Sequence, residues 1–164
     1  MDDLQSPPWI NPSETRTALA QGTGHGIRIA VLDSGIDGNH PQLDGITLTD
    51  NLCIKAEGGI ISVHEGDGQD LFGHGTAVAG ILHKIAPDAE IGNFRVLGAF
   101  KEARASVIRA GARLAIDRGY HILNCSFGCP GKTEFLMGFK SWIDEAYTRG
   151  VHVVAACNNQ DYSI

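Results

Sequence analysis

From residue 74 to residue 157 the chain alternates short apolar runs with longer segments of helical period, and this alternation limits the fold more than any other feature. "GTAVAGILHKIA" (75–86) reads as a helix that Pro87 stops. "EIGNFRVL" (90–97) follows as a strand. "RASVIRAGARLAIDRG" (104–119) places Val107, Ile108, Gly111, Ala112, Leu114 and Ala115 on one stripe and ends at Gly119. "HILNCSFG" (121–128) is again a strand. "EFLMGFKSWIDEAYTRG" (134–150) repeats the helix-then-glycine pattern, with Leu136, Phe139, Ile143 and Ala146 expected to face inward, and "VHVVAAC" (151–157) is a further strand. Upstream, "IRIAVLD" (27–33) is a β-branched apolar run. Strands apolar on both faces and separated by helices belong to a parallel sheet with right-handed crossovers and helices on both faces, which makes the chain α/β.

The remaining segments carry weaker patterns. Residues 1–26 are rich in Pro, Ser, Thr and Gly and read as an N-terminal arm, with one helical turn near Arg16 to Ala20; residues 27–164 then form a single domain. Residues 34–73 are rich in Gly and Asp and are expected to be irregular, with at most short strands around Ile46 to Leu48 and Ile60 to Val63. A net charge of −6 and the lack of a Lys/Arg cluster argue against nucleic-acid binding. No apolar run reaches the length of a membrane span. "MDDLQSPPWINPSE" lacks the charged-then-apolar pattern of a leader, so the expected location is cytoplasmic, with secretion after leader removal left open. Cys53, Cys125, Cys129 and Cys157 lack metal-site spacing and are expected to be buried free thiols.

In parallel sheets, ligands and catalytic groups gather at the carboxyl ends of the strands. Here those ends are Asp33, Gly98, Ser126 to Gly128, and Asn158 to Asn159. Asp33 alone would be a turn cap, and His74, in "GHGT", a polar residue at a helix start. Taken together they suggest more. A strand-end carboxylate that accepts a hydrogen bond from one imidazole nitrogen fixes the tautomer and stabilises the imidazolium. The other nitrogen is then free to act as a general base.

"AVLDSGID", "GHGTAVAGI", "NCSFG" and "VVAACNN", in this order, resemble the motifs of the subtilisin-like serine peptidases, and "IAPDAEIGNFRVLG" resembles the stretch after that family's histidine helix. The resemblance spans roughly residues 25 to 160 and implies a three-layer sandwich and hydrolysis of polypeptides without a cofactor. It implies Asp33 as the orienting carboxylate, His74 as the base, and Asn159 as an oxyanion donor. Ser126, Phe127 and Gly128 become the segment that pairs with an extended substrate, and Gly98 the start of the opposite wall of the groove.

The chain also departs from that pattern. Asn158 stands where the family has glycine, "FKEA" (100–103) where many relatives have a Gly-rich wall, and "HKIAPDAE" leaves no room for a calcium-binding loop, so no metal is expected. The family's Gly-Thr-Ser-Met-Ala type motif is missing: Ser126 belongs to the substrate segment, and Ser163 lies in "DYSI" without glycines around it. The expectation is therefore a subtilisin-like domain that is incomplete at its C-terminus, with the serine supplied by another segment or chain. The alternative is a non-catalytic domain that binds peptides or serves as a scaffold. A nucleotide-binding reading of "GTGHG" (22–26) fails because a dinucleotide fingerprint follows a strand, whereas this run precedes one.

Overall fold

The computed structural model describes residues 11–43, 45–98, 103–128 and 133–156, with the backbone alone for 133–136. Among the described residues six strands form one sheet: β1 (Arg28–Asp33), β2 (Leu48–Glu57), β3 (Ile60–Glu65), β4 (Glu90–Arg95), β5 (Ile122–Cys125) and β6 (His152–Ala155). Their order is β3-β2-β4-β1-β5-β6. All neighbours are parallel except the hairpin of β2 and β3. The helices are α1 (Pro12–Gln21), α2 (His74–Ile85), α3 (Ala105–Asp117) and α4 (Thr133–Thr148).

The period-2 alternation of β1 divides the interior into two layers. Ala30 and Leu32 face a large cluster that includes Phe94, Ile108, Ala112, Leu123, Trp142 and Ala146, so α3 and α4 cover that face. Val31 faces the other way, into a smaller cluster with Ile36, Leu43, Ala79 and Ile91 under α2. The expected architecture of a mostly parallel sheet with helices on both faces is thus what the chain forms. Cys53 and Cys125 are buried and free, as expected, while Cys129 and Cys157 lie outside the described residues.

Three local expectations need correction. Within residues 34–73 the short strand expected around Ile60 to Val63 is β3, but in place of one around Ile46 to Leu48 the chain forms β2, which runs for ten residues and turns into β3 through Gly58 and Gly59, both at positive φ (57° and 84°). That is a two-residue hairpin turn in which both positions need the left-handed region. Residues 12–21 form a ten-residue helix rather than one turn, started by Pro12 and by Asn11, whose side chain accepts from the Ser13 N–H at 3.0 Å. No residue of α1 is buried. In α4 the core position is Trp142, 2% exposed, and not Ile143, which is 41% exposed. Only this one position of the inward stripe differs, since Phe139 and Ala146 are directed at the core as expected; Leu136 lies outside the described side chains.

Candidate active site

The site is built where the end of β1 meets the start of α2. Gly35, at φ +117°, turns the chain immediately after β1, and Gly73, at φ +74°, turns it into α2. A Cβ on Gly75 would lie 2.1 Å from the Gly35 carbonyl oxygen and 3.2 Å from Asp33 Cβ. The first turn of the helix therefore rests directly on the backbone at the strand end, which glycine alone permits. His74 is the first helical residue. Its Nδ1 lies 2.9 Å from Asp33 Oδ1 and 3.0 Å from Oδ2. Asp33 is fully buried, and its Oδ1 also accepts the Ser34 N–H at 2.7 Å. A carboxylate only accepts, so Nδ1 carries the proton and the neutral ring presents a lone pair at Nε2. The imidazole is half exposed, and Nε2 has no partner among the described residues.

A second group of residues, which the sequence motifs did not single out, holds this contact from behind. Asp70 Oδ1 accepts the Ser34 hydroxyl at 2.7 Å and the Phe72 N–H at 3.1 Å; Oδ2 accepts the Thr76 N–H at 2.8 Å and its hydroxyl at 2.6 Å. Gly75 N–H donates to Ser34 Oγ at 3.3 Å. The loop before the helix is anchored in turn by Arg95 from the end of β4. Its guanidinium grips Asp67 at 2.9 and 3.1 Å, reaches Gln69 O at 3.3 Å, and directs Nε at Cys53 Sγ at 3.2 Å. The hydrogen bond from Arg95 lowers the Asp67 carboxyl below its usual range. For Asp70, desolvation is the largest single influence and pulls upward, but the bonds from Thr76, Ser34 and Phe72 together outweigh it and leave the carboxyl lowered.

That lowering has a sign in stability. A depressed folded-state value contributes stability above the unfolded carboxyl range, about pH 4, and loses it as pH falls through the folded value. The expected result is that Asp70→Asn flattens the acid limb of a Tm-against-pH curve below about pH 4. A limb as steep as that of the unaltered protein would overturn the assignment.

The other predicted residues lie on the strands flanking β1. Gly98 follows β4, exposed, and Ser126, Phe127 and Gly128 follow β5. Ser126 Oγ accepts from Asn124 Nδ2 at 2.9 Å, and Phe127 packs against the larger core cluster. Asn159 lies outside the described residues. A cavity of about 450 Å³ opens beside Gly98, lined by Cys53, Asp67, Leu71, Arg95, Ala103 and Val107, and does not include Asp33 or His74. Cys125, close enough to feel the charge of Asp33, is no substitute nucleophile: burial first, then that charge, pushes its thiol up to about 12. Among the described residues no cluster of His, Cys, Asp and Glu could hold a metal ion, and no helix is long and apolar enough to cross a membrane.

Comparison with known proteins puts this arrangement in context. Residues 24–164 match the model of the subtilase family, peptidase S8. The chain is 36% identical over 167 residues to subtilisin Savinase of Lederbergia lenta, covering 94% of this chain and 56% of that protein. It is 36% identical to the alkaline protease of Alkalihalobacillus alcalophilus, covering 94% of this chain and 40% of that one. In structure it is similar to a lanthipeptide protease, with a TM-score of 0.68 and 25% identity over 87% of this chain and 43% of that chain. The chain thus spans roughly half the length of these relatives. With the matched region extending from the segment before β1 through β6, the chain belongs to the subtilase family.

Proposed function

We propose that this chain supplies the orienting carboxylate, Asp33, and the general base, His74, of a serine endopeptidase of subtilisin type acting on polypeptides. The observation that carries the reading is the contact of His74 Nδ1 with both oxygens of a fully buried Asp33, with Nε2 left open. In the proposed reaction Nε2 takes the proton of a serine hydroxyl as that oxygen attacks the scissile carbonyl. Asp33 holds the ring and offsets the positive charge that develops on it. His74 then protonates the leaving amine, and water hydrolyses the acyl-enzyme. Asn159 and a backbone N–H are assigned to the oxyanion. The peptide is proposed to lie extended between Gly98 and Ser126 to Gly128.

The serine is proposed to come from a segment outside residues 1–164. Among the described residues, Ser34 is the serine that touches the pair, but it is fully buried and its Oγ is engaged with Asp33, Asp70 and the Gly75 N–H. The same observation is what favours a second reading, a non-catalytic domain that binds peptides in this groove. The two separate on treating the protein, isolated with any segment that accompanies it, with a fluorophosphonate. Covalent labelling of a serine outside residues 1–164, with casein cleavage blocked in parallel, is the expected result. Peptide binding that survives His74→Ala, without labelling or cleavage, replaces the first reading with the second.

A further inference from the structure

Asp70 makes no contact with His74 among its hydrogen bonds, yet it touches both elements that create the Asp33–His74 contact. On one side it receives Ser34. That hydroxyl has one proton and two carboxylates in reach, Asp70 Oδ1 at 2.7 Å and Asp33 Oδ1 at 3.1 Å. The shorter bond takes the proton. Asp33 Oδ1 already accepts the Ser34 N–H and faces His74 Nδ1. A third donor there would compete with the imidazole. On the other side Asp70 Oδ2 accepts both donors of Thr76, the third residue of α2, while Gly73 at the helix start has no side chain to cap it. Ser34 Oγ takes the N–H of Gly75, the second residue. Two of the orphan donors of the helix are thus satisfied from outside the helix, on both sides of one bridging hydroxyl.

We propose that Asp70 is a positioning residue for His74, acting through the Ser34 hydroxyl. By drawing the Ser34 proton to itself it reserves Asp33 Oδ1 for the imidazole. By capping α2 it fixes the helix start from which the ring projects. The functional meaning rests on the reading of Asp33 and His74 given above; the geometry and its test do not. Asp70→Asn defeats the arrangement in either amide orientation. With its NH₂ toward Ser34, the serine proton is driven onto Asp33. With its NH₂ toward Thr76, two donors of the helix are left facing a third.

The measurement is the solvent-exchange rate of the His74 Nδ1 proton, followed by NMR on the ¹⁵N-labelled protein. Asp70→Asn is expected to speed exchange about tenfold, the scale of one lost charge-assisted hydrogen bond. Ser34→Ala, which removes the competing donor, is expected to stay within about twofold of the unaltered protein, and the double variant to return to within about twofold of Ser34→Ala, because without the hydroxyl there is no proton to drive onto Asp33. Thr76→Val, which removes the hydroxyl's bond to Asp70 and its acceptance of the Asp37 N–H but leaves the Thr76 N–H and Ser34 in place, is expected to stay within about twofold of the unaltered protein. A double variant that exchanges as fast as Asp70→Asn overturns the proposal, since it describes a helix cap independent of Ser34. If Asp70→Asn does not fold, Ser34→Ala decides it: a rate within about twofold of the unaltered protein supports the role, and exchange about tenfold faster overturns it, since the hydroxyl then holds the contact instead of competing for it. A proton that is protected in the unaltered protein and indifferent to Asp70→Asn defeats the Asp70 role alone. A proton unprotected from the start defeats the Asp33–His74 reading as well.

Discussion

Replacing His74 with alanine is expected, in the peptidase proposed above, to lower kcat/KM for a fluorogenic peptide by about 10⁶-fold, because groups that act as one unit fail together. The fold survives the change. The ring is half exposed, so its removal empties a position already open to water and opens no cavity in either core. What is lost is the partner of a buried carboxylate, at a cost of about 1–3 kcal/mol, softened by the remaining Ser34 N–H donor at 2.7 Å. Asp33→Asn should do less, about 10⁴-fold, since the ring stays in place but in the wrong tautomer. The order of the two losses discriminates among roles. A base must matter more than the group that orients it, and His74→Ala cleaving at the rate of the unaltered enzyme, with circular dichroism unchanged, would remove the base from the mechanism altogether.

How far the sequence can be read depends on whether the determining interaction is local. The strand and helix alternation after residue 74 is legible because each helix carries its own period and its own stop, Pro87 or Gly119 or Gly150. The β2–β3 hairpin is harder to see. "LTDNLCIKAE" mixes Thr, Asp, Asn and Lys with its apolar positions because only Leu52, Cys53 and Ile54 are buried; the Gly-Gly pair at its end was the available signal. α1 has no apolar stripe to find, only its cap. The Ile143 error is one residue, or about 100° around a helix, and arises because Trp142 counts less in a simple apolar tally than its size warrants. The Asp33 and His74 positions stand out because small residues flank them. Asp70 and Ser34 do not, since their pairing requires the path of residues 67–73, and that path is fixed by Arg95 from a strand more than twenty positions further on. Side-chain networks closed by a distant anchor leave no periodic trace in the chain.

The close approach of Gly75 to the Gly35 carbonyl makes it a sensitive backbone position of the site. Gly75→Ala changes no φ requirement; the residue is helical, and alanine is favoured over glycine in a helix by about 1 kcal/mol. Against that gain stands a Cβ placed 2.1 Å from the Gly35 oxygen, 3.1 Å from its carbonyl carbon and 3.2 Å from Asp33 Cβ. None of these can step aside cheaply. Gly35 is itself held at φ +117°, with its own virtual Cβ 2.2 Å from Gln69 O, so it cannot retreat toward the loop. The helix must lift, and the His74 ring lifts with it. The expected cost is about 3 kcal/mol or more in stability, together with a loss of at least about 100-fold in kcat/KM, the scale of an ångström of misplacement at a reacting group. Gly80→Ala is the control. It lies in the same helix, where a Cβ meets only Leu43 Cδ2 at 3.4 Å, so it should be neutral or stabilising by up to about 1 kcal/mol. If both alanines raise Tm equally, α2 does not rest on the end of β1, and the distance between Asp33 and His74 is set by something other than the two glycines.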